Sequence, residues 1–73
     1  MIRINPRKLL LSKWTAMHPH NREKHFLVVR IVVPEDPQQP IVDVELEAVL
    51  TCRVQLIPWK RLTDSSIWRQ GWH

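Results

Sequence analysis

The side chains with the greatest scope for chemistry in this 73-residue chain are four histidines and one cysteine. His18, His20 and His25 lie within eight residues of one another, and Cys52 and His73 are further soft ligands. A structural zinc site needs closely spaced ligands in two clusters, and only one such cluster is present here. A solvated basic loop explains the histidines more simply, so the sequence predicts no metal site.

The sequence also lacks the motifs of common catalytic sites. A single glycine, Gly71, excludes a nucleophile elbow and a phosphate-cradling loop, and Cys52 is predicted to face the core. Three carboxylates alternate along one predicted strand face: Asp43, Glu45 and Glu47. Arg30 and Arg53 are their predicted partners on neighbouring strands, which explains the acids without catalysis. We therefore predict that the protein is not an enzyme and uses no cofactor.

The composition is unusual in its tryptophans, with four Trp, one Phe and no Tyr. In a thin core, all four can serve as bulk, each burying about 150–250 Å². Alternatively, some are exposed beside cations, as in sequence-tolerant sites for single-stranded nucleic acid. The runs PRKLLLSKW, PWKRL and WRQGW interleave the two residue types. The predicted binding residues are Arg7, Lys8, Lys13, Trp14, Trp59, Lys60, Arg61, Trp68 and Arg69.

Two kinds of binding function are open at this point. One is binding of single-stranded RNA or a ribonucleoprotein through a basic, Trp-bearing face. The other is protein–protein interaction, either with an acidic partner or as a homodimer through the apolar strand face of Phe26, Val28 and Val32. Convergence of the bases around an exposed Trp would favour RNA, whereas an exposed apolar strand face would favour a protein partner.

The length predicts one small domain over residues 1–73. A single cysteine cannot form an internal disulfide, which predicts a reducing, cytoplasmic environment. No apolar run approaches the roughly 18 residues of a membrane span. Residues 1–33 contain seven basic residues and one acidic residue, and residues 34–50 contain five acids and no base. Residues 51–73 contain four bases and one acid, so both ends are basic and the centre is acidic.

Strict alternation of apolar and polar residues predicts that strands make up most of the fold. From Val42 onward, apolar residues recur at every second position, at Val44, Leu46, Ala48 and Leu50, and again at Cys52, Val54 and Leu56. A second strand is predicted over 25–33, with Ile31 opposite Val44, Arg30 opposite Glu45 and Val29 opposite Leu46. A short strand is predicted over 13–17, a polar loop over 18–22, and a turn near residues 51–53.

Capping signals predict a short helix at each end. Asn5 and Pro6 begin one that ends near Ser12, and Asp64 begins another over 65–70 that ends at Gly71. The expected fold is mainly β (α+β), a small antiparallel sheet of three to four strands curled into an SH3-like or Sm-like barrel with these helices at its ends.

Five blocks of the sequence together carry a resemblance to a known family: KLLLSKWTA, NREKHF, LEAVLT, IPWKRLTD and WRQGW. They span the chain from Lys8 to Trp72, and as a set they are specific. The chain resembles a family of short, tryptophan-rich bacterial proteins of unknown function. The resemblance implies a single-domain bacterial protein, and it implies no activity, cofactor, partner or site residue.

Overall fold

The computed structural model describes residues 5–73, whose regular structure is almost entirely β-strand. Five antiparallel strands form one sheet: β1 (Lys13–His20), β2 (Glu23–Ile31), β3 (Asp43–Ala48), β4 (Val54–Pro58) and β5 (Trp68–Gln70). The described residues also form two 3₁₀ turns, the first at Pro6–Lys8 and the second at Trp59–Thr63. The prediction of a mainly β fold is confirmed, with one strand more than expected.

The sheet is open, so the predicted barrel is wrong. The strand order is β4-β3-β2-β1-β5, which makes β4 and β5 opposite edges, and a barrel requires the edge strands to pair. After β4 the chain instead crosses the sheet through the second 3₁₀ turn, which contacts both edge strands. Leu62 of this turn is buried in the core. The turn therefore covers the core, which in a barrel would be enclosed by the closed sheet.

The core lies on one face of the sheet, which we call the core face; the opposite face is called the outer face. Side chains from β1, β2 and β3 supply most of the core, and Leu9 and Leu62 cover it from outside the sheet. The buried strand residues are Trp14, Phe26, Val28, Val44, Leu46 and Ala48. Since the outer face is covered only locally, by the C-terminal residues, most of the apolar burial is on the core face of the three central strands.

The register of β2 against β3 contains a bulge at Val29. Ile31 lies opposite Val44 and Arg30 opposite Glu45, as predicted, but Leu46 lies opposite Val28 rather than Val29. The extra residue reverses the alternation of β2 on its N-terminal side.

The bulge changes which residues of β2 are buried. Phe26 is 4% exposed and Val28 is fully buried, whereas Leu27 lies on the outer face. The predicted apolar patch of Phe26, Val28 and Val32 is therefore wrong, because the first two belong to the core.

The β3–β4 turn lies where it was predicted. Like the bulge in β2, it reverses which alternate residues of the following strand, β4, face the core. The Ala48 N–H bonds to the Arg53 carbonyl, so the turn places Gln55 opposite Leu46 and thus on the core face. Val54 and Leu56, predicted to be buried, are instead exposed. Val42 and Leu50, which belong to the same alternating apolar series but lie beyond the ends of β3, are also exposed. Cys52, in the turn itself, is exposed as well, which corrects the prediction that it faces the core.

The predicted N-terminal helix is wrong, although its cap is present. The Asn5 side chain accepts a hydrogen bond from the Arg7 N–H at 3.0 Å, but the turn that follows has only three residues and does not reach Ser12. Leu11 has a left-handed backbone with φ 63°, and its N–H donates to the Val28 carbonyl at 2.7 Å. The chain thus joins the sheet instead of continuing a helix.

The predicted C-terminal helix over 65–70 is also wrong. Asp64 caps a single turn by accepting from the Ser66 N–H, and its carbonyl accepts from the Trp68 N–H. Residues Trp68–Gln70 then pair with β1, where Trp68 lies opposite Ala16. This pairing brings the Trp68 ring edge-to-face with Phe26 at 5.0 Å, a tertiary contact that overrides the local helix signal.

Candidate functional site

The four tryptophans occupy different environments. Trp14 is 1% exposed, and the half-buried Trp59 donates its indole N–H to the Ile41 carbonyl at 2.9 Å. Trp68 is half-buried against the core. Trp72 is 42% exposed, which makes it the most exposed of the four. The exposed tryptophan is therefore one that the sequence did not single out.

The C-terminal tripeptide folds back over the outer face of the sheet. Gly71 has φ +88°, a left-handed conformation that favours glycine, and its N–H donates to the Lys13 carbonyl at 2.8 Å. The Thr15 hydroxyl donates to the Gly71 carbonyl at 2.6 Å and accepts from the His73 N–H at 3.0 Å. Thr15 is 4% exposed as a result, and the tail is fixed on β1.

Trp72 lies beside a cation and an imidazole on this face. Its indole N–H donates to the Phe26 carbonyl at 3.0 Å, which fixes the ring against β2. Lys13 Nζ is 4.8 Å from the indole centroid, and the His25 ring lies 5.9 Å away, tilted by 33°. The His25 ring in turn bonds to the His73 carbonyl at 2.9 Å. We call Lys13, His25 and Trp72 the Trp72 platform.

The surroundings of the Trp72 platform are basic, and the far half of the outer face is acidic. Arg69 shares the face because it lies opposite Thr15 in the β1–β5 register. Arg22 and Lys24 line a shallow depression with His25, next to the β3–β4 turn. On β3, Glu45 and Glu47 alternate on the outer face, and Glu45 forms the predicted ion pair with Arg30, at 3.6 Å. The outer face is thus electrostatically divided.

The predicted binding residues do not form one surface. Lys13 and Arg69 are brought together on the outer face, whereas Trp14 lies inside the core. The remaining cations belong to the two 3₁₀ turns that cover the core face: Arg7, Lys8, Lys60 and Arg61. Trp59 follows β4, and Trp68 lies in β5 near the core. The sequence missed Trp72 and His25, whose only signal was the glycine that turns the tail back.

An ion pair between the buried Glu23 and the exposed Arg53 lies on the core face beside the β1–β2 hairpin. Glu23, 3% exposed, accepts from the Arg53 guanidinium at 2.6 Å and from the Thr51 hydroxyl. These hydrogen bonds, that of Arg53 first, hold the pKa of the Glu23 carboxyl below its ordinary value, and the same contact raises the pKa of Arg53. Arg53 therefore pairs with Glu23 and not with the acids of β3 as predicted.

Within residues 5–73, no three His, Cys, Asp or Glu side chains lie close enough together to hold a metal ion. In the same part of the chain, no helix is long and apolar enough to cross a membrane.

The fold and the platform define a small protein built on one open antiparallel sheet, with an indole and a cation exposed on one face. The chain belongs to the tryptophan-rich protein family DUF2389, whose model matches residues 12–73. The resemblance to a tryptophan-rich family of unknown function is thereby confirmed. No curated protein and no solved structure gives a significant match to the chain.

Proposed function

We propose that this protein is a non-enzymatic, cytoplasmic module that binds single-stranded RNA, free or in a ribonucleoprotein, through the Trp72 platform. The observation that carries the proposal is the exposed indole of Trp72 with Lys13 Nζ 4.8 Å from its centroid. An indole can stack on any base, at about 1–3 kcal/mol per base, and an adjacent ammonium can neutralise a phosphate. Such a pair recognises nucleotides with little sequence preference.

The charge distribution of the outer face supports the same function. Arg22 and Lys24 line a depression with His25 of the platform, and Arg69 lies on the same face. The acids of β3 lie on the other half of the face. A polyanion is attracted to the first half and repelled from the second, which gives it a preferred track across β1 and β2. An open sheet face suits unpaired bases, because the bases of a duplex are stacked inside it.

The test is a titration with end-labelled, mixed-sequence single-stranded RNA, followed by fluorescence anisotropy at low and at physiological salt. We expect binding whose affinity falls as salt rises, because counterions are released from neutralised phosphates. Lys13→Gln and Trp72→Leu should both weaken binding, and Lys13→Gln should also reduce the salt slope by about 0.7. Lys60→Gln, the same change in the second 3₁₀ turn, is the matched control.

Two outcomes would overturn the proposal. One is the absence of binding at low salt, where electrostatic attraction is strongest. The other is an equal loss of affinity in Lys13→Gln and Lys60→Gln, which would mean that binding follows net charge and not the Trp72 platform. Circular dichroism of each variant confirms that the sheet is intact.

Protein–protein interaction is the second candidate function, and edge strand β4 favours it. This strand carries no charged residue, and its outer-face side chains Val54 and Leu56 are 47% and 60% exposed. Natural edge strands are usually protected by charges, so an uncharged apolar edge is suited to pairing with a second copy.

An acidic protein partner would instead compete with RNA for the basic half of the outer face. If the protein does not bind RNA, and if its sedimentation coefficient rises with protein concentration, these results would favour protein–protein interaction.

A further inference from the structure

A separate concavity lies on the core face, away from the Trp72 platform. It is a cleft of about 260 Å³ between the β1–β2 hairpin, the β3–β4 turn and β5. We call it the Arg53 cleft, and the lining residues relevant to ligand binding are His18, His20, Phe26, Arg53, Gln55 and Trp68. The two histidines continue along β1 from Ala16, so the strand and not a loop directs them into the cleft.

The cleft combines an aromatic side with a polar rim. Phe26 and Trp68 meet edge-to-face there, at 5.0 Å between centroids. Phe26 is 4% exposed, so the half-buried Trp68 supplies most of the aromatic surface for a flat apolar group. The volume lies below the roughly 300–1,000 Å³ of pockets for drug-sized ligands, so the occupant is a small molecule or the end of a larger one.

Two side chains that line the cleft, Arg53 and Trp68, have unused hydrogen-bond donors. Arg53 bonds Glu23 through Nε and Nη2, and within residues 5–73 its Nη1 has no acceptor. In the same part of the chain the Trp68 indole N–H has no acceptor, although those of Trp14, Trp59 and Trp72 each have one. Guanidinium and indole groups only donate, and the Glu23 carboxylate is already occupied by Arg53 and Thr51.

We propose that the Arg53 cleft binds a small aromatic anion, meaning a flat ring that carries a carboxylate or a phosphate. The ring contacts Phe26 and Trp68, and the anionic group accepts hydrogen bonds from Arg53 and from the Trp68 indole. Glu23 is a positioning residue, because its two-point contact orients the guanidinium. The site is on the opposite face from the Trp72 platform and does not depend on RNA binding.

The test is a two-dimensional ¹H–¹⁵N NMR titration with benzoate and with phenyl phosphate, which separates the two sources of the anion. Benzamide, which has the same ring without charge, is the matched control ligand. We expect saturable shifts of the Trp68 indole and Arg53 Nε resonances with at least one anion, and an affinity for benzamide at least tenfold weaker. Equal affinity for benzamide, or shifts confined to residues outside the cleft, would overturn the proposal.

Variants separate recognition from stability. Trp68→Phe keeps an aromatic ring but removes the N–H, and it should weaken anion binding about tenfold. Trp59→Phe is the control, since that indole N–H is bonded to Ile41 outside the cleft. Arg53→Lys retains the positive charge beside Glu23 and should lower affinity while the chain stays folded. Trp72→Leu should bind the anion normally; unchanged affinity in both Trp68→Phe and Arg53→Lys would refute the assignment.

Discussion

At the scale of single residues, the ion pair of Glu23 and Arg53 is a multiply hydrogen-bonded contact on the core face. Glu23 is buried, and its carboxylate accepts bonds from both Arg53 and Thr51. The pair joins the tip of the β1–β2 hairpin to the β3–β4 turn, which are 30 residues apart in the chain. Removing Arg53 leaves the buried Glu23 carboxylate without its counterion, whereas the Arg53 side chain, 54% exposed, remains hydrated when Glu23 is removed.

The lowered pKa of Glu23 predicts a specific dependence of stability on pH. A carboxyl whose folded-state pKa is lowered stabilises the fold above its ordinary, unfolded pKa, and this contribution is lost as the pH falls through the folded value. Glu23→Gln should therefore be less stable than the wild type at neutral pH, and the difference should shrink on acidification. Urea unfolding of both proteins at about pH 7 and about pH 3 measures this difference.

The control for this experiment is Glu35→Gln, which removes one negative charge from the exposed segment between β2 and β3. It should leave stability at neutral pH close to that of the wild type. If Glu23→Gln were as stable as Glu35→Gln at neutral pH, the Glu23–Arg53 contact would not stabilise the fold.

The environment of each tryptophan could not be predicted from sequence. Trp14, Trp59 and Trp68 each adjoin a Lys or Arg in the sequence and Trp72 does not, so local composition identifies neither Trp14 as the core residue nor Trp72 as the exposed one. The difference arises from long-range contacts, since the indole of Trp72 bonds to the Phe26 carbonyl, 46 residues away. The candidate site was therefore only partly predicted: Lys13 and Arg69 were identified, and Trp72 and His25 were not.

At the scale of elements, the β1–β2 hairpin turns on two residues in the left-handed region. Asn21 has φ 54° and Arg22 has φ 63°, the backbone of a type I′ turn, in which the second position favours glycine. Arg22→Gly should therefore raise the free energy of unfolding by about 0.5–1 kcal/mol, because a Cβ in this conformation is strained. Chemical denaturation measures the change.

Lys24→Gly, two residues further along in β2, is the matched control for the hairpin. It also replaces a cation by glycine but lies in an extended strand, so it should lower stability by roughly 0.5–1 kcal/mol. Changes of the same sign in both variants would show that backbone strain at Arg22 is not the cause.

Strand patterns predicted β3 better than β2, for a physical reason. In β3, acids and apolar residues alternate, so burial of Val44, Leu46 and Ala48 follows from the pattern alone. The run HFLVVRIVV, which begins in β2 and ends two residues beyond it, is apolar at nearly every position, and either face can be buried. The bulge at Val29 changes which side chains of β2 are buried without exposing a longer apolar run, and no residue type in the sequence predicts its position.

At the scale of the whole molecule, the protein is a slab. Its Cα atoms extend 38 × 28 × 16 Å, and the shortest dimension holds one sheet with turns on one side. Two packed layers need about 10 Å between them, so little thickness remains for a second complete layer. The small core and the many exposed apolar side chains have the same origin, since the sheet has only one well-covered face.

This one-sided architecture predicts opposite outcomes for two leucines in neighbouring strands. Leu46 in β3 is fully buried on the core face, whereas Leu56 in β4 is 60% exposed on the outer face. Leu46→Ala should cost about 2–5 kcal/mol, a large part of the roughly 4–11 kcal/mol expected for a chain of this length. Leu56→Ala should change the stability of the monomer by less than about 0.5 kcal/mol.

Urea denaturation of both leucine variants at several protein concentrations separates the possible results. Equal losses that do not depend on concentration would contradict the assignment of the two faces. A loss in Leu56→Ala that grows as the protein is concentrated would mean that β4 is buried between copies, because association stabilises the folded state by mass action. That result would favour protein–protein interaction through the β4 edge, while a concentration-independent, near-neutral Leu56→Ala would leave the basic half of the outer face as the binding surface.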